Sequence, residues 1–179
     1  GLCDTCDALC SFGDREKRLA ILKDPHVGAF GSLWLMAFLL AEVGCFAQLY
    51  EKPALLPLAC AGFAFARTMG GRKVVASPCA KDSGLAHIFA ENSDKHAVSV
   101  LLTTEFVLFA VLLGLWVYRV PHALTAAKVL VVVLVLWYIL HERISRRVFG
   151  GVTGDLAGFC ISIAELLALA VAAIGGLIL

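Results

Sequence analysis

The sequence predicts an all-α fold, a polytopic transmembrane helix bundle of about five membrane helices forming one integral membrane domain over residues 1–179. Three observations carry this. Sixty per cent of the 179 residues are hydrophobic and mean hydropathy is +0.88, well above an ordinary soluble domain. Five apolar stretches can be separated along the chain, several near the roughly 20 residues needed to cross a bilayer. The cations also gather in three polar segments instead of being scattered.

The first element, residues 1–31, is polar and carries three cysteines, Cys3, Cys6 and Cys10, with Asp4 and Asp7 three positions apart. In a helical turn that spacing puts both carboxylates on one face. Two such groups repel unless neutralised, and a hard divalent ion does this in phosphoryl transfer, commonly held by one or two carboxylates plus substrate phosphates. A solvated polar face accounts for the same spacing. The cysteine spacing allows a metal or iron-sulfur reading, but no fourth ligand is nearby, and small-residue packing is the simpler account. Seven cysteines divided between polar and apolar segments do not read as a secreted disulfide framework.

The apolar stretches follow: Ser32 to Tyr50, Pro53 to Ala66, Ala97 to Tyr118, Ala123 to Leu140 and Leu156 to Leu179. The second is short and is read as a crossing or a re-entrant segment. Between them lie polar loops at 67–96 and 141–155. If all five stretches cross, these loops and residues 1–31 share one side, and of fifteen Lys and Arg only Lys52, Arg119 and Lys128 lie elsewhere. The positive-inside rule then makes the three polar segments cytoplasmic. Lys128 reads as a snorkelling side chain.

The last polar loop runs as RRVFGGVTGDLAG into the final apolar stretch. Gly151 and Gly154 allow close backbone approach to an anion, and a helix N-terminus adds partial positive charge, an arrangement suited to phosphate. Asp155 serves equally as an N-terminal cap. Glu165, ten residues on, stands in an apolar helix, as do Glu42 and Glu105; intramembrane carboxylates face a cavity, a partner or a site. A proton or ion path through the three would make the protein a transporter, although no inverted repeat is evident. No histidine is assigned to catalysis, with His87 and His141 read as interfacial; no nucleotide-binding loop motif appears, and nothing supports nucleic-acid binding.

These segments resemble the cobalamin synthase (adenosylcobinamide-GDP ribazoletransferase) family. The opening Gly1, Leu2, Cys3, Asp4, Thr5, Cys6, Asp7 is similar to the family's Asp-Gly-Leu-Ala-Asp-Thr-x-Asp motif, and REKRLAILKDPHVGAFG to its Arg-rich helix start and Gly-x-x-Gly, keeping Asp24, Gly28 and Gly31. Arg67 and SPCAKDSGLAHIFAE resemble the family's Arg and its Pro-x-Ala-Arg-x-x-Gly-Leu-Gly loop, with Lys81 at the second basic position. GGVTGDLAG with Glu165 matches the closing signature. Ala86 and Ala8 stand where glycines are common, and the leading aspartate is missing, so further upstream sequence with at least one membrane helix is expected.

The resemblance implies transfer of phosphocobinamide from adenosylcobinamide-GDP to α-ribazole or its 5′-phosphate, giving adenosylcobalamin or its phosphate and GMP, in a prokaryotic inner membrane with Mg2+ as cofactor. It implies Asp4, Asp7 and Asp155 as metal ligands, Asp7 and Asp155 as catalytic groups, and Asp24, Gly28, Gly31, Arg67, Lys81, Gly151, Gly154 and Glu165 around substrate. The bilayer is the expected surrounding; a homo-oligomer is left open. A CDP-alcohol phosphatidyltransferase is the alternative enzyme class, but its full motif is absent.

Overall fold

The computed structural model describes residues 1–51, 53–80 and 94–178, and among these the fold is helical, with one isolated parallel bridge between Cys79 and Val152. Two short helices, α1 (Leu2–Cys10) and α2 (Arg15–Ile21), precede five long ones: α3 (Ala29–Glu51), α4 (Leu56–Ala76), α5 (Lys95–Arg119), α6 (Leu124–Ile144) and α7 (Gly154–Ile178). All five long helices have the length and apolarity to cross a membrane. The exposed apolar side chains on α3, α5 and α6 suit a lipid surrounding and would be a liability in water.

Helix ends follow local chemistry. Asp14 caps α2 through the Lys17 amide, and Asp94 caps α5 through the amides of His96 and Ala97. Pro57 stands in the first turn of α4, where a missing N–H costs nothing. After α6 the chain tightens into a π-turn, Ser145–Phe149, and leaves it at Gly150 with φ +76°, a left-handed conformation that favours glycine.

At the centre, α4 packs on α7 through small residues. Gly62, Ala66 and Gly70 recur at four-residue intervals on α4; Ala164, Ala168 and Ala172 do so on α7, and the alanines are fully buried. A Cβ on Gly62 would fall 2.3 Å from that of Ala168, and one on Gly70 2.4 Å from Ile161 Cδ1. Lipid chains are as apolar as leucine, so helices associate in membranes by close packing, which small residues permit. The core also takes in Leu55, Leu58, Leu130 and Leu169. A second, smaller core of Ala8, Leu22, Phe149 and Leu156 fastens α1 and α2 to the π-turn and the start of α7.

The second apolar stretch ends at Ala66, yet α4 continues to Ala76 as a full crossing helix. Its extra turns carry Arg67, Arg72 and Lys73, and two of these find carboxylates on neighbouring helices: Arg67 pairs with Glu165 of α7 and Lys73 with Glu142 of α6. The residues read as the beginning of the 67–96 loop are therefore helical to Ala76. In the 141–155 loop, α6 likewise runs through Ile144 before the π-turn.

Candidate functional site

The N-terminal ends of α3 and α7, the C-terminal ends of α4 and α6, and both short helices meet in one polar layer. Two arginines staple it. Arg15 donates from Nε to the Phe149 carbonyl at 2.8 Å and from Nη2 to the Ala80 carbonyl at 3.3 Å. Arg18 donates from Nη1 to the Ala8 and Leu9 carbonyls at 3.0 and 3.1 Å, and from Nε to Gly13 at 3.1 Å, satisfying carbonyls at the end of α1. A short backbone pairing ties the residues after α4 to the Gly-rich turn: Val152 N–H donates to the Pro78 carbonyl at 2.8 Å, and Ala80 N–H to the Val152 carbonyl at 2.9 Å.

Asp4 and Asp7 both lie on α1, but their surroundings differ. The Asp7 carboxylate accepts from the Gly28 amide at Oδ2 and from the Gly31 amide at Oδ1, each at 2.8 Å. It therefore satisfies open donors at the N-terminus of α3, where a negative charge also opposes the helix dipole. The Gly-x-x-Gly spacing has a direct steric cause here. A Cβ on Gly28 would lie 2.4 Å from Asp7 Oδ1, and one on Gly31 2.3 Å from Oδ2 and 2.9 Å from the Cys3 carbonyl.

Asp4 keeps a half-buried carboxylate whose one described contact is the Gly1 nitrogen, 3.4 Å from Oδ2. Gly1 packs against the first turn of α7, where a Cβ on it would fall 2.7 Å from the Asp155 carbonyl. Asp155 stands in that turn, and the hydroxyl that caps α7 comes from Thr153, which accepts the Leu156 amide at 3.2 Å. Asp155 is thus spared the capping role and has no hydrogen-bonding partner among the described residues. Asp4 thus contacts Gly1 through its carboxylate, and Asp155 meets Gly1 through its backbone.

The remaining sequence-derived residues separate into four groups. Gly154 has open space around it, whereas Gly151 is pressed against the Pro78 carbonyl, 2.5 Å from where a Cβ would be. Asp24 is exposed and accepts from the His26 amide at 2.9 Å and contacts its Nδ1 at 2.8 Å; these hydrogen bonds hold its carboxyl below the usual carboxylate range. Arg67 and Glu165 are paired with each other, Nη2 to Oε1 at 2.8 Å, within the bundle and not in the polar layer. Lys81 lies outside the described residues, as does His87.

Among the described residues no three His, Cys, Asp or Glu side chains converge as a metal cage would require. Mg2+ commonly needs only one or two carboxylates beside water and phosphate oxygens. Asp4 and Asp155, partly exposed carboxylates on two elements that meet at Gly1, are oxygen donors of the kind such a site uses. The cysteines of α1 are free thiols, and burial, then the neighbouring Cys10 and Cys3, push Cys6 up to about 11. Thr5, fully buried between the two aspartates, has a hydroxyl without a hydrogen-bonding partner among the described residues.

Several residues important to this layer are missing from the motif reading. Lys73 is fully buried, Glu142 binds it, and Ser77 and Arg146 bind Glu142. His141, near the end of α6, is fully buried, with Nε2 2.8 Å from the Leu156 carbonyl and Nδ1 3.4 Å from Ser145 Oγ. The sequence signal for them is the His141-Glu142 pair closing an apolar stretch, a place where polar groups need partners.

Fold and site together define a polytopic helical membrane protein with an acidic, glycine-braced polar layer at one end of its bundle. The family model described as cobalamin-5-phosphate synthase matches residues 1–173, and the chain belongs to that family. Its relatives include proteins named adenosylcobinamide-GDP ribazoletransferase from Lachnoclostridium phytofermentans, 33% identical over 168 residues, covering 94% of this chain and 61% of the relative. The Chlorobaculum parvum protein of that name is 33% identical over 175 residues, covering 97% and 66%. That of Shigella boydii is 31% identical over 168 residues, covering 93% and 64%. The chain thus spans somewhat less than two thirds of the length of these curated relatives. No solved structure matches it.

Proposed function

We propose that the protein is a membrane transferase that joins adenosylcobinamide-GDP to α-ribazole or its 5′-phosphate, forming adenosylcobalamin or its phosphate and releasing GMP. The observation that carries this reading is the family match over residues 1–173, which takes in the polar layer with Asp4, Asp7 and Asp155. The names of the relatives supply the donor and the reaction class. We place it as a multi-pass protein in a prokaryotic inner membrane; the cation distribution supports a polar layer turned toward the cytoplasm.

In the reaction, a ribose hydroxyl of the acceptor attacks the phosphorus on the cobinamide side of the diphosphate. The new P–O bond forms as the bond to the GMP oxygen breaks, and the hydroxyl proton passes to a base. Asp155, at the start of α7 and free of capping duty, suits that base role. Asp4 and Asp155 are the residues that would hold Mg2+ with substrate oxygens; the ion supplies neutralisation of the diphosphate charge. Asp7 contributes by fixing α1 against the start of α3, so that Asp4 is presented from a rigid element. Gly154 leaves room for phosphate near the open amides of α7.

Asp4→Asn is the direct test because that carboxylate supports no described contact beyond the Gly1 nitrogen. Purified protein in liposomes with Mg2+, adenosylcobinamide-GDP and α-ribazole phosphate would be followed by mass spectrometry for corrinoid and GMP. Wild-type product with a loss of about 100-fold or more in Asp4→Asn, from protein of unchanged melting temperature, is expected for an electrostatic role of this kind. Equal activity would remove Asp4 from the chemistry. Absence of corrinoid product from folded wild-type protein would sink the transferase reading.

A further inference from the structure

We propose that Glu142 is a positioning residue which, through Ser77 and Arg146, holds residues 77–80 and the Gly-rich turn 150–154 in register as one phosphate-facing surface. The inference rests on the transferase reading above for the identity of the phosphate.

Glu142 stands in the last turn of α6 and collects donors from three directions. Lys73 of α4 reaches Oε2, Ser77 donates its hydroxyl to the same oxygen at 3.1 Å, and Arg146 of the π-turn donates Nε to Oε1. Lys73 has no solvent exposure; its ammonium also contacts the Tyr138 carbonyl at 3.2 Å and lies 3.7 Å from the centre of the Tyr138 ring. A buried ammonium needs such compensation, but an apolar contact would join two helices at least as well, so stability alone does not account for an ion pair here. What the pair supplies is direction.

That direction matters because α4 and α6 touch only sparingly deeper in the bundle, as where Leu130 faces Gly62, and are parted beside that contact by a cleft. An apolar cleft of about 830 Å3 opens among α4, α5 and α6, with Thr68 and Met69 on one wall and Val131 and Val135 on another. The polar layer therefore supplies the direct link between the two helix ends, beside the packing that each makes on α7. Ser77 immediately precedes Pro78, whose carbonyl receives the Val152 amide. Arg146 and Ser145 carry the carbonyls that receive the amides of Gly150 and Gly151. One carboxylate thus grips the residue leading into each side of the Cys79–Val152 bridge, and the bridge leads directly to Gly154 and Asp155.

The test variant is Ser77→Ala/Arg146→Ala, which removes both tethers and leaves the Lys73–Glu142 pair intact, so the buried charge stays compensated. Register is read without activity by adding Val152→Cys. Parallel neighbours sit about 5 Å apart, within the roughly 4.4–6.8 Å that a disulfide spans. Mild oxidation should link Cys79 to the new cysteine, quantified by mass spectrometry of the joined peptides. In the tether variant the yield should fall about fivefold or more. In the Val152 background without cross-linking, KM for the nucleotide-diphosphate donor should rise about tenfold with kcat changed much less, the pattern of lost binding. Lys73→Met/Glu142→Leu, two apolar replacements, should behave in the same way.

Unchanged cross-linking in both folded variants would overturn the proposal. Reduced cross-linking with unchanged KM would overturn its link to substrate. If wild-type protein transfers nothing while cross-linking still falls in the variants, the transferase reading fails and the structural role of Glu142 stands.

Discussion

At the scale of single residues, Asp7 makes the most specific statement. Its two oxygens each receive a backbone amide, so an uncharged amide at this position keeps one acceptor and turns an NH2 group toward the other donor. Hydrogen bonds to charged groups contribute roughly 1.5–3 kcal/mol, and Asp7→Asn should destabilise the protein by about that amount. A lowered unfolding midpoint in detergent, alongside lost activity, would separate it from Asp4→Asn, where activity alone falls. The Asp4/Asp7 spacing could be read from sequence, as could their presence on one short helix. Their division of labour could not, because it depends on an amide pair twenty-one and twenty-four residues away. Cys6 offers a pH test. Its thiol is held neutral up to about 11, so its folded-state stabilisation is complete below the ordinary value of 9.0 and is lost as pH rises toward 11. At pH 8 about one molecule in a thousand carries the thiolate, and maleimide modification of Cys6 should be slow, accelerating about tenfold per pH unit to pH 10. Fast modification at pH 8 would contradict its buried position.

At the scale of elements, the five membrane helices were legible because apolarity over 20 or so residues is a strong signal. The end of α4 was not, since Arg67 and Lys73 look like loop cations until Glu165 and Glu142 are placed beside them. Charge pairing between helices is a tertiary property, and a hydropathy reading stops where the first arginine begins. The close seam of α4 and α7 was equally hidden, although its small residues are plain in the sequence once the pairing is known. Gly62→Val tests it: the side chain would enter space held by Ala168, and overpacking of this kind costs about 1–3 kcal/mol. Gly44 on α3 and Gly114 on α5 have no neighbouring atoms within 4 Å of where a Cβ would stand and serve as controls. There the alanine variant should match or slightly exceed the parent in stability, by up to about 1 kcal/mol from helix propensity. Equal loss at Gly62 and Gly44 would show that glycine flexibility, and not the seam, decides the outcome.

At the scale of the whole molecule, four long helices have one end in the polar layer and α5 runs antiparallel beside α4, Thr103 near Arg72 and Trp116 near Leu56, so a single measurement of sidedness orients all of them. The layer contains Arg15, Arg18, Arg146 and neighbouring cations, while the opposite end of α5 carries Arg119. Short loops with excess Lys and Arg remain on the cytoplasmic side. Two well-exposed positions report the two faces: Phe12, between α1 and α2, is 95% exposed, and Tyr118, at the end of α5, is 84% exposed. In a background with the native cysteines replaced, Tyr118→Cys should react with a membrane-impermeant maleimide on intact spheroplasts. Phe12→Cys should react only after permeabilisation. Such labelling would give the proposed chemistry access to cytoplasmic nucleotides and keep released GMP in the same compartment. The opposite labelling pattern would place Asp4 and Asp155 outside, away from any nucleotide pool, and would count against the transferase assignment even if the family's fold were intact.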